Sequence, residues 1–143
     1  MEYSKSNDDY FIRIDRGESL FESLLDFASK ENLDAGSFSG IGALQKSELG
    51  FYHLSKKEYH RKTFQDEAEL ISLNGNLALL DDTRILHIHC LLGGDDFSTY
   101  GGHLFSAEVA VTCEITFRAF HQPIYRKMND SIGLNLTCFH CPK

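Results

Sequence analysis

The chain has no tryptophan, two prolines, no long apolar run and little positive charge for its 143 residues. The shortage of positive charge excludes the most. Fourteen Lys and Arg stand against 21 Asp and Glu, a net charge of −7. A large nucleic-acid footprint needs clustered cations to neutralise phosphates. The densest basic group, Lys56, Lys57, Arg61 and Lys62, is diluted by Glu58 and Asp66 and reads as a solvated hairpin turn. No segment approaches the roughly 18 consecutive apolar residues of a membrane-spanning helix. The opening MEYSKSNDDY lacks the apolar stretch of a signal peptide. A cytoplasmic protein with its four cysteines reduced is therefore expected.

Several catalytic signatures are missing too. There is no G-x-S-x-G, and no glycine-rich phosphate loop. Gly40-Ile41-Gly42 lacks a third glycine and a following helix, which rules out a dinucleotide fingerprint. Cys138 and Cys141 form a C-x2-C that could serve half of a zinc site or a redox pair. No second pair stands at ribbon spacing, because Cys90 and Cys113 are isolated, and no helix start follows it.

What is present is an ordinary globular composition, 42% hydrophobic and 24% charged. Eleven Phe and six Tyr in place of Trp point to aromatic packing in a sheet-rich core. Residues 1–9 are polar and read as a flexible N-terminus, and residues 10–143 read as one domain. Tyr10–Asp15 alternates like a strand. Residues 18–31 carry helical periodicity, with Leu20, Leu24, Phe27 and Ala28 as the apolar stripe. Ser19 with Glu22 fits a capping box, and Asn32 a left-handed stop. Further strands are expected at 37–44, 47–54, 58–64, 68–73, 76–80, 84–92, 104–110, 111–120 and 132–139, with Asn74-Gly75 a tight turn. The fold class is α/β of the α+β type: a mostly antiparallel sheet or open barrel with one main helix packed on it.

The chemistry concentrates in RILHIHCLLGGDDFSTYGGHL. In a strand, residues i and i+2 share a face, so His87 and His89 project together, away from Leu86, Ile88 and Cys90. If 104–110 pairs back on 84–92, His103 joins them after Gly101-Gly102. Three imidazoles suit zinc, with nickel, copper or iron as alternatives, and leave a fourth position for water, a carboxylate or a substrate atom. His53, His60 and His121 stand singly and read as surface or turn residues. In VTCEITF, Val111, Cys113, Ile115 and Phe117 form the core face. Glu114 lies on the other, either as an acid/base carboxylate or paired with Arg118. Asp95 and Asp96 are further base candidates. Glu69 faces away from Leu70 and either bridges subunits or pairs with a basic residue.

The order of FIRIDRGESL, AGSFSGIGAL, AELISLNGNLAL, LHIHCLL, YGGHL and VTCEITF resembles the PPC family, the "plants and prokaryotes conserved" domain, over about residues 10–120. The resemblance implies an α/β fold with a mostly antiparallel sheet, a homotrimer, and a metal, commonly zinc, on His87, His89 and His103. Plant members act in transcription through an R-G-R-P-like AT-hook. This chain has none, and its only prolines are Pro123 and Pro142. What transfers is self-association and partner binding, with direct DNA binding disfavoured. An enzymatic alternative is a zinc-dependent reaction on a small molecule at the same trio.

Overall fold

The computed structural model describes residues 1–139. In chain order the elements are β1 (Glu2–Ser6), β2 (Asp9–Asp15), α1 (Leu20–Lys30), β3 (Gly36–His53), β4 (Glu58–Phe64), β5 (Ala68–Leu80), β6 (Thr83–Gly93), β7 (Thr99–Ala119), β8 (Tyr125–Asn129) and β9 (Leu134–Cys138). One helix against nine strands is the α+β architecture that the sequence suggests.

Helix α1 begins where its cap chemistry dictates. The Ser19 hydroxyl accepts from the Glu22 backbone N–H, satisfying a donor that has no partner inside the helix. The helix stops at Asn32, whose φ of 53° lets Leu33 N–H return to the Ala28 carbonyl. Leu20, Leu24, Phe27 and Ala28 are buried on one stripe. Arg84 of β6 ties down the helix exit through the Leu33 carbonyl at 2.7 Å and Asp34 at 2.8 Å.

The sheet is antiparallel except where β8 meets β5 at Leu79 and Tyr125. β3 pairs with β5 and β7, β5 with β6, and β6 with β7. These four strands therefore close on themselves as a small barrel, and closure removes exposed strand edges. β1 and β2 extend the sheet beyond β7, and β4 lies beside β3. Inside, Phe27 packs edge-on against Tyr10 at 5.0 Å and Phe117 at 5.3 Å, while Phe38 stacks on Phe117 at 5.8 Å. Aromatic pairs add about 0.5–1.5 kcal/mol each beyond the area they bury.

Four local expectations are corrected. Residues 1–9 are largely a strand, not a loose tail: β1 pairs along β2 from Glu2 opposite Arg13 to Ser6 opposite Asp9. All five β1 side chains are exposed, so no apolar alternation betrays the strand. Asn74-Gly75 is not a turn but the middle of β5. Gly75 faces Phe38 across the pair, and a Cβ there would meet its ring at 2.5 Å. Segments 37–44 and 47–54, like 104–110 and 111–120, each form one long strand bent by register shifts. The shift near Gly42 turns Val111 outward to 63% exposure, while Cys113, Ile115 and Phe117 stay buried.

Phe27 is the hinge of this packing. Phe27→Ala is expected to lower unfolding free energy by about 3–5 kcal/mol, read from the midpoint and slope of a urea transition. A loss near 1 kcal/mol would mean that the helix is not fastened through this ring.

Candidate metal centre

Antiparallel pairing places the trio. His89 sits directly opposite His103, with Cys90 opposite Gly102, and His103 in turn lies opposite Gly50 of β3. His87 is two residues before His89 on the same face of β6. At Gly102 a Cβ would lie 2.8 Å from the Gly50 carbonyl oxygen, so glycine there permits the close approach of β3 that seats His103. The three rings stand almost as an equilateral triangle, with centroids 5.1, 5.2 and 5.3 Å apart. One nitrogen from each lies within 4.8 Å of the others. Nitrogens on a tetrahedral zinc are about 3.4 Å apart, given bonds of about 2.0–2.1 Å. The rings would have to close in from a spacing of up to 4.8 Å to share one ion.

The trio lies on the face opposite the core, since Ile88, Cys90 and Leu92 of the same strand are buried in the main cluster. His89 is exposed, and His87 and His103 are half-buried. Tyr59 and Phe105 wall one side, their rings 5.1 and 4.5 Å from that of His103. The other side is closed by the β8–β9 hairpin. Its turn is held down by the Tyr52 hydroxyl, which donates to the Ile132 carbonyl at 2.6 Å. This hairpin delivers Arg126, which sequence reasoning missed. The Arg126 guanidinium donates to His87 Nδ1 at 2.9 Å, to the Asn76 amide oxygen at 3.0 Å and to the Asn135 carbonyl at 3.0 Å. Nothing in QPIYRKMND marks that arginine as special. Its place comes only from where the hairpin folds.

Burial, followed by Arg126 and His89, pushes His87 down to about 4. Burial, followed by the neighbouring histidines and Arg61 and Arg126, does the same to His103. Both are neutral at neutral pH, the form that ligates. The buried Nδ1 of His103 has no hydrogen-bond partner, an exception that polar groups in folded proteins seldom show. The donor set fits a divalent metal, with one condition. Arginine can only donate, and a ligating neutral imidazole carries its proton on the other nitrogen. Whichever nitrogen of His87 takes an ion, the Arg126 hydrogen bond to Nδ1 must be released.

The other candidates lie elsewhere. Glu114 stands far along β7, exposed beside Ile41, Ile71 and Val111 with Glu69 and outside the histidine group. It faces Arg13 in the register, and no ion pair joins it to Arg118 among the described residues. Asp96 is committed to its own turn, accepting from Ser98 N–H at 2.9 Å and Oγ at 2.6 Å. His53 and His60 stack at 6.4 Å on the β3–β4 hairpin, and His121 meets Asp8 at 3.2 Å. Cys90 and Cys113 are buried thiols raised to about 11 and 12 by desolvation, which makes them poor nucleophiles. Cys138 ends β9, and Cys141 lies outside the described residues.

A family model for the Plants and Prokaryotes Conserved (PCC) domain matches residues 1–121. The chain belongs to the PCC family. Among solved structures, a metal-containing protein from Archaeoglobus fulgidus is 34% identical, with a TM-score of 0.85 over 96% of this chain and 95% of that one. A plant- and prokaryote-conserved protein from Pyrococcus horikoshii is 31% identical, with a TM-score of 0.85 over 99% and 97%. A protein from Bacteroides thetaiotaomicron that carries a provisional DNA-binding label is 30% identical, with a TM-score of 0.92 over 96% of both chains. No curated protein matches the chain. The PCC match ends before β8, so Arg126 stands outside the family model while the histidine trio stands inside it.

The depressed histidines make a pH signature of the metal-free PCC chain. Each has a folded value below its ordinary 6.5, so its contribution to stability is present above that value and is lost as pH falls toward 4. Urea midpoints of metal-free protein should fall between pH 6.5 and about 5, before most carboxylates titrate. The fall should flatten in the His87→Asn/His103→Asn double variant. Identical slopes in both proteins would refute the burial argument.

Proposed function

We propose that the protein is a divalent-metal-binding, self-associating PCC protein, with zinc on His87, His89 and His103, acting through partner or small-ligand binding at that face. The observation that carries this reading is the convergence of three imidazole nitrogens within 4.8 Å on the solvent face of the barrel. The similarity to the metal-containing Archaeoglobus fulgidus protein supports it. Bound there, zinc would supply Lewis acidity at a position that three protein ligands leave open. The residues around it bind and shield. Tyr59 and Phe105 exclude water from one flank, and Asn76 fixes the guanidinium on the other.

Self-association as a homotrimer is supported by a second face. Ile41, Ile71 and Val111 are 59%, 47% and 63% exposed around one shallow trough, with Phe11 at 54% beside it. Contiguous apolar surface of this kind marks interaction sites. Glu69 and Glu114 rim the trough and would be desolvated or paired on assembly. Direct DNA binding is disfavoured for this chain. Its net charge is −7, and Arg13, Lys46, Lys56 and Arg61 all lie against carboxylates.

No described helix is long and apolar enough to cross a membrane.

Elemental analysis of protein purified without chelator should find one metal per chain, and His89→Ala should reduce this to trace levels with the fold retained by circular dichroism. Full metal content in that variant would overturn the ligand assignment. Light scattering should give three times the chain mass, collapsing to one in Ile71→Asp. A monomeric wild type would end the trimer reading.

A further inference from the structure

Arg126 is a half-buried cation with no anion. Its partners are a carbonyl, an amide oxygen and an imidazole nitrogen, all neutral, and no carboxylate pairs with it among the described residues. Its Nε–H is buried and makes no hydrogen bond. Buried charges in folded proteins are ordinarily paired, because desolvation costs several kcal/mol otherwise. Arg126 and His89 act on His87, and the neighbouring histidines with Arg61 and Arg126 act on His103. Arg126 is thus the cation beside the trio that meets no carboxylate among the described residues, whereas Arg61 is met by Glu48 at 3.7 Å. Two buried polar atoms without partners, Arg126 Nε and His103 Nδ1, belong to the histidine face.

We propose that the histidine face is a receptor for a small-molecule carboxylate, with Arg126 as the residue that recognises it. The inference deepens the metal reading, resting on the trio as the ligand set, and adds the ligand class. The link is the His87 contact. Because Arg126 and an ion cannot both engage His87, occupation of the trio would free one N–H of the guanidinium nitrogen that Asn76 also holds, beside His87. That N–H together with the unpartnered Nε–H would offer the planar fork that matches the two oxygens of one carboxylate. Phosphate is the poorer match. Phosphate sites recruit helix N-termini or nests of backbone N–H groups, whereas the one described helix is packed on the core side. Entry is from solvent past His89, the exposed member of the trio.

The test follows the Arg126 Nε–H cross-peak by NMR, identified by its absence in Arg126→Lys, while sodium acetate is added to metal-free and zinc-loaded protein. Sodium phosphate and sodium chloride are parallel arms. The expected result is a saturable acetate shift, tighter in the zinc-loaded sample, with chloride and phosphate giving only weak, linear shifts. In Arg126→Gln, His89 ring signals should report acetate binding about 10-fold weaker or more, the loss of a hydrogen bond to a charged group. The same variant should bind zinc more tightly, because the competitor for His87 is gone. A cross-peak that acetate leaves unmoved in both samples would overturn the proposal. So would equal acetate affinity in Arg126→Gln shown folded by circular dichroism, or saturation by phosphate in place of acetate. Saturable acetate binding by a protein that takes up no zinc would uphold the role of Arg126 and refute the metal reading, so the two failures stay separate.

Discussion

The antiparallel contact of β6 with β7, running from His89 opposite His103 to Gly93 opposite Thr99, is the constraint on which the rest depends. It closes the barrel, because β6 and β7 are otherwise joined only through β5 and β3. It also makes the site. A one-residue slip would send His103 to the opposite face from His89 and His87, since side chains alternate with period two. Fold and candidate metal centre therefore share one set of backbone hydrogen bonds. Strand register is firmest where one face is buried, and here Ile88, Cys90, Leu92 and Leu104 fix that face from the core side.

The opposite face carries the unresolved charge. Buried charges are ordinarily paired, yet the β8–β9 hairpin places the half-buried Arg126 against His87 and holds it there through Asn76 and the Asn135 carbonyl. The histidines lie within the PCC match and the arginine beyond it.

Much of this was legible in the sequence, and the reasons for the exceptions are physical. Ser19, the Leu20/Leu24/Phe27 stripe and Asn32 announced α1 because caps and periodicity are local. His87 and His89 announced a shared face for the same reason. His103 needed the assumption that 104–110 pairs back on β6; the structure instead pairs Thr99–His103 with β6 and sends Leu104–Val109 along β3, so His103 joins the others through the stretch before it. Asn74-Gly75 misled because glycine there serves packing against Phe38 and not a turn. Val111 misled because a register shift breaks the alternation that the sequence suggests. β1 was hidden because none of its side chains is buried. Arg126 was illegible because its role is set by a tertiary contact between residues 39 positions apart.

Zinc-edge X-ray absorption of the zinc-loaded protein tests the central claim most directly. The account predicts a first shell of nitrogen and oxygen at about 2.0–2.1 Å, with the outer-shell scattering of three imidazoles. A sulfur shell at about 2.3 Å, or scattering from one imidazole or none, would place the ion elsewhere and contradict the assignment of His87, His89 and His103.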